Sequence, residues 1–441
     1  MPNSSSEVKR RPSHIVLFKR PSEKNAAVLS SVMKVSMAGI ATAGTAKLAV
    51  GLDQPEAKVF PTLGAASAQL TPDEANRLAS ADEVDEVFLN ETRTLPRFWE
   101  GRAEPIPGPA LAGVGGSPLL EYLRGLEDAV ALVRGYVEAG GAVAPEFRSR
   151  RLAAAAGGRS WCLDLIGLTS AFGRATGKGV RIAVLDTGID TFHPDFHGRF
   201  PAANLRSFVD SEPVQDGHGH GTHCAGVVAG PSSPAGGTRY SVAPDAELLI
   251  GKVLNDSGVG DDDRILAGME WAAAAGARVI SMSLESPRVA NGTYSPLYER
   301  MAKVMRERDP GVLLVAAAGN QSRRPHHTAP VSNPAACPSI LAIAACDANR
   351  RVGDFSCGEC DPIGQVDLVG PGVNVLSAWR GGGYKTISGT SMATPHVAGV
   401  AALFLEVSPG LSATALAQKL AMSAVALSPR SDFGAGLVQV P

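Results

Sequence analysis

Apolar and polar positions alternate differently on the two sides of residue 160. His14 to Lys19, His-Ile-Val-Leu-Phe-Lys, is branched and alternating, as a strand is. Ala27, Leu29, Val32, Val35 and Met37 fall at helical spacings within 22–38. Lys58 to Leu63 predicts a second strand. Thr71-Pro-Asp-Glu74 predicts a helix start, with a capping threonine, proline in the first turn and early acids, and Leu78 closes that short helix. Val84 to Leu89 predicts a third strand. The order strand, helix, strand, helix, strand implies a small α+β domain over 14–96, behind a polar, basic tail at 1–13.

Residues 97–160 read as a linker that opens rich in proline and glycine. Within it, 119–139 predicts an amphipathic helix, with Leu120, Leu123, Leu126, Val130, Val133 and Tyr136 on nearly one face. The basic patch Arg148-Ser-Arg-Arg151 reads as a solvated turn or a place where the chain is nicked.

From Trp161 onward the texture changes. Short apolar strands are predicted at Val180–Leu185, Leu248–Val253, Val279–Leu284, Val312–Ala317 and Ile340–Ala344. Helices are predicted between them at Gly221–Ala229, Asp262–Ala275 and Tyr298–Arg308, and the run Val397–Leu405 reads as a buried helix. This pattern predicts an α/β domain over 161–441, a mostly parallel sheet flanked by helices on both faces. Ligands of such sheets bind beyond the carboxyl ends of the strands, so the residues there matter most.

Composition narrows the classes. With 441 residues, 44% hydrophobic and 19% charged, the chain can bury a sizeable core. A net charge of −2 argues against a nucleic-acid partner. The stretch nearest to a membrane span, Ala26 to Val50, is interrupted by Lys34 and Lys47 and reads as a helix plus turn. With no recognisable leader, the expected home is cytoplasmic, with an unusual export route as the alternative. Six cysteines in so long a chain are not a disulfide framework. Cys357-Gly-Glu-Cys360 lacks a second pair at zinc spacing, so free thiols or a local redox pair are expected.

Three strand ends or helix starts carry candidate chemistry. Strand 180–185 ends in Asp186-Thr-Gly-Ile-Asp190, where a held, desolvated acid can orient a histidine or simply form an Asx turn. Asp216-Gly-His-Gly-His-Gly-Thr-His223 alternates glycine with three imidazoles; metal binding by His218, His220 and His223 is the rival to one working base. Gly389-Thr-Ser-Met-Ala-Thr-Pro-His-Val-Ala-Gly399 puts Ser391 at a helix start, as a nucleophile or as a cap.

With these motifs the chain from Trp161 to the C-terminus resembles the subtilisin-like serine proteases, whose triad runs in the order Asp, His, Ser. The resemblance implies a serine endopeptidase with Asp186, His220 and Ser391 as catalytic triad and Asn320, after strand 312–317, as oxyanion donor. It assigns His223 and His396 to packing. It implies a substrate groove between Gly258, Val259 and Gly260 on one side and Ser283, Leu284 and Glu285 on the other. Glu285 stands where a small glycine is expected, and Asp261-Asp-Asp263 adds acids beside the groove. These read as a solvated acidic loop or as a preference for basic substrate side chains.

Many relatives bind calcium, and Asp195 matches one ligand position. The loop after Val228 lacks their asparagine-rich ligands, so neither calcium nor another cofactor is expected. The N-terminal domain resembles the ferredoxin-like inhibitory propeptide of these proteases. The expected partners are protein or peptide substrates and this domain, acting as an intramolecular inhibitor of a monomer, with no membrane. The cut that frees it falls near Leu95, near Arg151, or nowhere. A catalytically silent peptide-binding relative is the alternative from another class.

Overall fold

The computed structural model describes residues 12–20, 24–34, 40–42, 57–95, 99–100, 158–168 and 175–441. The predicted helix 119–139 and the patch 148–151 lie outside these residues. Among the described residues, strands β1 (Ser13–Phe18), β2 (Ile40–Thr42), β3 (Ala57–Phe60), β4 (Ala65–Gln69) and β5 (Val84–Leu89) form one sheet in the order β2-β3-β4-β1-β5. Helices α1 (Asn25–Met33) and α2 (Pro72–Ala79) accompany it. Thr71 and Glu74 form the expected reciprocal capping box of α2. The sequence pattern missed β4, whose Ala65-Ala-Ser-Ala-Gln69 has weak strand propensity. Its conformation comes from pairing with β1 on one side and β3 on the other. It also missed β2, whose three residues are too short to show a period.

β1 serves two cores. Val16 and Phe18 pack with α1 and α2, whereas Ile15 and Leu17 turn to the opposite face and join the core of the larger domain. Phe60 and Leu63 join them there. Each such side chain stabilises by about 1.5–3 kcal/mol on full burial, so the N-terminal sheet docks through a true apolar face.

After β6 (Thr92–Thr94), β7 (Trp99–Glu100) and α3 (Trp161–Leu165), the larger sheet begins. Its strands are β8 (Arg181–Asp186), β9 (Leu205–Ser207), β10 (Glu247–Lys252), β12 (Val279–Met282), β13 (Leu313–Ala317), β14 (Leu341–Cys346) and β15 (Leu368–Pro371). They lie in the order β15-β14-β13-β12-β8-β10-β9, and every pairing is parallel. Helices α4 (His220–Ala229), α7 (Thr390–Val407) and α8 (Ala413–Ser423) share a core with Ile182 and Val184 of β8. On the other face, α5 (Asp262–Ala274) and α6 (Pro296–Glu307) share one with Ala183 and Leu185. This is the expected sheet with helices on both faces. Two elements stand outside it: β11 (Val259–Asp261), and the hairpin β16 (Val375–Trp379) with β17 (Gly383–Ser388). No helix among the described residues is long and apolar enough to cross a membrane.

Candidate active site

β8 lies inside the sheet, between β10 and β12, and Asp186 is its last residue. Asp186 is buried, and its Oδ1 accepts the Thr187 N–H at 2.8 Å. His220, also buried, opens α4 and places Nδ1 2.8 Å and 3.0 Å from the two Asp186 oxygens. Burial alone would lower the imidazole pKa. The Asp186 charge and hydrogen bond outweigh it and raise the pKa well above the usual 6.5. A carboxylate on Nδ1 keeps the proton there and leaves Nε2 to act as base.

A second acid, Asp216, holds these two elements together. Asp216 Oδ1 accepts from Thr187 Oγ1 at 2.9 Å, from the His218 N–H at 3.0 Å and from the Gly219 N–H at 2.7 Å. Its Oδ2 accepts from the Thr222 N–H at 2.8 Å and Thr222 Oγ1 at 2.7 Å. Thr187 Oγ1 in turn accepts the Gly221 N–H at 2.9 Å. Gly221 is required by contact, because a Cβ there would run into the Gly188 carbonyl. Asp216 was visible in the motif, but only the fold shows that it ties the acid's loop to the histidine's helix.

The serine helix starts earlier than its apolar run suggested. Gly389 is its N-cap, Thr390 its first residue and Ser391 its second, so the capping reading of Ser391 is corrected. The Ser391 carbonyl accepts from Ser283 Oγ at 2.9 Å and from the Cys224 thiol at 3.6 Å. That thiol also lies 3.8 Å from His220 Nδ1, so serine and histidine share a neighbour. Ser391 Oγ is buried and has no hydrogen-bond partner among the described residues, so the bond from serine to imidazole is not closed in this structure. Such bonds are often long before substrate binds and tighten with it. Asn320 follows β13, and its Oδ1 accepts from the Thr390 N–H at 2.9 Å and Thr390 Oγ1 at 2.8 Å. Its amide nitrogen therefore lies beside Gly389, where a Cβ would come within 3.1 Å of it.

The three-histidine cluster does not converge. His223 Nε2 faces the carbonyls of Val375 and Lys385 at 3.1 Å and 3.2 Å, and burial holds its pKa down at about 3. His396 Nδ1 meets the Met392 carbonyl at 2.7 Å, and burial lowers its pKa to about 4. Among the described residues, the one group of His, Cys and carboxylate close enough to share an ion is Asp186, His220 and Cys224. Its atoms are already engaged with one another, as a hydrogen-bonded pair with a thiol alongside.

The residues expected to form the groove flank one strand. β11 pairs antiparallel with β6, placing Val259 opposite Thr94, Gly260 opposite Arg93 and Asp261 opposite Thr92. The Leu95 N–H donates to the Gly258 carbonyl at 2.9 Å. Across the strand, Thr94 and Glu285 exchange backbone hydrogen bonds at 3.1 Å and 2.9 Å. Leu284 is buried beneath in the core. The chain is next described at Trp99, which pairs with Ser388, three residues before Ser391. The acids of the groove are not a solvated loop, which corrects that reading. Asp262 is buried, and so is Glu285, whose carboxylate accepts from the Gln321 side chain and the Asn320 N–H. Burial raises the Glu285 pKa to about 7.

A profile described as the subtilase family matches residues 177–436, a span that holds all of these elements from β8 onward. The chain belongs to the subtilase family. It is 41% identical over 280 residues to M-protease of Shouchella clausii strain KSM-K16, covering 63% of this chain and 68% of the relative. It is 40% identical over 280 residues to Subtilisin Savinase of Lederbergia lenta, covering 63% of this chain and 96% of that one. It is 37% identical over 267 residues to Subtilisin E of Bacillus subtilis strain 168, covering 60% and 65%. This subtilase is a serine endopeptidase, a hydrolase of peptide bonds, so protein or peptide substrates follow.

Calcium is common among subtilases, and Asp195 is the residue here that matches one of its ligand positions. Its Oδ1 accepts the Ala235 N–H at 2.7 Å, and its Oδ2 accepts the hydroxyls of Tyr240 at 2.6 Å and Tyr384 at 2.9 Å. Three donors, two from the stretch 235–240 and one from β17, take directions a cation needs. The residues present do not fit a calcium ion there.

Proposed function

We propose that this endopeptidase works through Asp186, His220 and Ser391, and that its N-terminal domain (14–96) holds the catalytic domain (161–441) shut as a monomeric precursor. The observation that carries the first part is the close contact of His220 Nδ1 with both Asp186 oxygens. In this reading Ser391 Oγ attacks the peptide carbonyl while His220 Nε2 takes its proton. Asp186 holds the imidazole and stabilises its charged form. The Asn320 amide and the N–H of Ser391, which lies in the first helical turn, receive the oxyanion. His220 then protonates the leaving amine, and water repeats the sequence to free the acid product. No step requires a metal or cofactor, and the three donors already on Asp195 support a chain that does without calcium at that position.

The second part rests on segment 92–95, which pairs as a peptide substrate would, between 258–261 and Glu285. Of the expected cutting points, this favours the one near Leu95. Leu95 pairs with Gly258 and Trp99 with Ser388, three residues before Ser391, and in this reading the bond to be cut lies between Leu95 and Trp99. Intact mass tests this directly. Wild-type protein is expected to lose its N-terminal domain at a bond between Leu95 and Trp99, while Ser391→Ala remains full-length. Equal masses would refute self-processing. A wild-type protein that also fails to react with a fluorophosphonate at Ser391 would be the silent, peptide-binding relative.

A further inference from the structure

The strand in the groove buries a charge that catalysis does not use. Arg93 sits in β6 opposite Gly260, and its side chain is only 2% exposed. Its Nε donates to Asp262 Oδ1 at 2.7 Å and its Nη2 to Oδ2 at 3.1 Å, a planar fork against a carboxylate. Asp262 is itself buried, and its Oδ1 also accepts the Tyr298 hydroxyl at 2.9 Å. The Tyr298 ring lies 5.2 Å from the guanidinium. The remaining contacts, Glu91 Oε2 at 3.0 Å from Nη1 and the Glu91 N–H on Asp262, belong to the N-terminal segment and leave with it. The catalytic domain keeps the carboxylate and its aromatic wall. Emptied of Arg93, that carboxylate loses its counter-ion and the fork that paired with it, and an arginine from another peptide can restore both.

We infer that Asp262 and Tyr298 form a subsite that reads an arginine side chain in peptide substrates, at the residue pairing with Gly260, and that Arg93 fills it in the precursor. This rests on the reading that segment 92–95 follows the path of a substrate. Because the cut falls between Leu95 and Trp99, the arginine stands third to sixth upstream of the cleaved bond. The fork favours arginine over lysine, whose compact ammonium meets only one oxygen well. A neutral isostere leaves Asp262 unpaired and is rejected more strongly than loss of contact alone would give.

The test is a peptide series cleaved by the wild-type protein, purified as the full chain and normalised to the fraction labelled by a fluorophosphonate. One residue, arginine, lysine, citrulline or norleucine, is walked through the third to sixth upstream positions. One position is expected to prefer arginine over citrulline and norleucine by about 100-fold in kcat/KM, with lysine between. Asp262→Asn is expected to bring the ratio of arginine to norleucine close to one at that position. Tyr298→Phe, which keeps the ring, is expected to retain most of the ratio. Labelled enzyme that cleaves all four residues equally at every position overturns the subsite, and Arg93 is then only a docking contact of the N-terminal domain. The wild-type series decides this even if Asp262→Asn fails to fold. Protein that neither labels nor cleaves overturns the peptidase reading, and this inference with it.

Discussion

Replacing Glu285 by glutamine makes the enzyme more stable in base and leaves it unchanged in acid. The side chain is 2% exposed, and burial raises its pKa from the usual 4.5 to about 7. The folded protein therefore holds this proton more tightly than the unfolded chain does. Where the unfolded state binds fewer protons, stability falls as pH rises. The wild type keeps its full stability below pH 4.5 and loses it progressively up to pH 7, where the buried group ionises. A difference of about 2.5 pH units, at 1.36 kcal/mol each, gives a penalty of about 3 kcal/mol above pH 8. Glutamine keeps the shape and an oxygen for the Gln321 side chain and the Asn320 N–H, but it does not titrate. The assay is urea unfolding from pH 4.5 to 9, both proteins carrying Ser391→Ala to prevent self-digestion. Their free energies should agree at the acid end and separate to about 3 kcal/mol above pH 8, with Glu285→Gln the more stable. Because other titrating groups are common to both proteins, they cancel in the difference. Parallel curves over the whole range would refute the claim that this carboxyl is buried at an unfavourable charge.

Asp186→Asn should lower kcat by about four powers of ten, because an amide can present its NH2 to Nδ1 and impose the wrong tautomer. Its folding, followed by circular dichroism, should survive. Asn320→Ala should lower kcat by about two to three powers of ten with little change in KM, measured on one chromogenic peptide, since the amide meets charge only in the transition state. A strong calcium chelator should leave the thermal midpoint of the wild type within about 1 °C, because protein donors already occupy Asp195; a fall of several degrees would show a site elsewhere.

The sequence by itself determined the parts that are local. The capping box at Thr71, the apolar strands of the parallel sheet and the three motifs around Asp186, His220 and Ser391 were all legible, because each is written in a short run with its own period or spacing. Strand β4 was not legible, since alanine and serine take strand form there only by pairing with β1 and β3. Tertiary structure also decided the state of the acids. Asp262 reads as one of three solvated aspartates until Arg93, 169 residues earlier, is brought against it and buried with it. Burial and pairing arise between distant segments, and a charge looks the same in a sequence whether water or a guanidinium surrounds it. For that reason the three motifs could be read along the chain, while the depth of Asp262 and the pairing of segment 92–95 with 258–261 appeared only when the chain was folded.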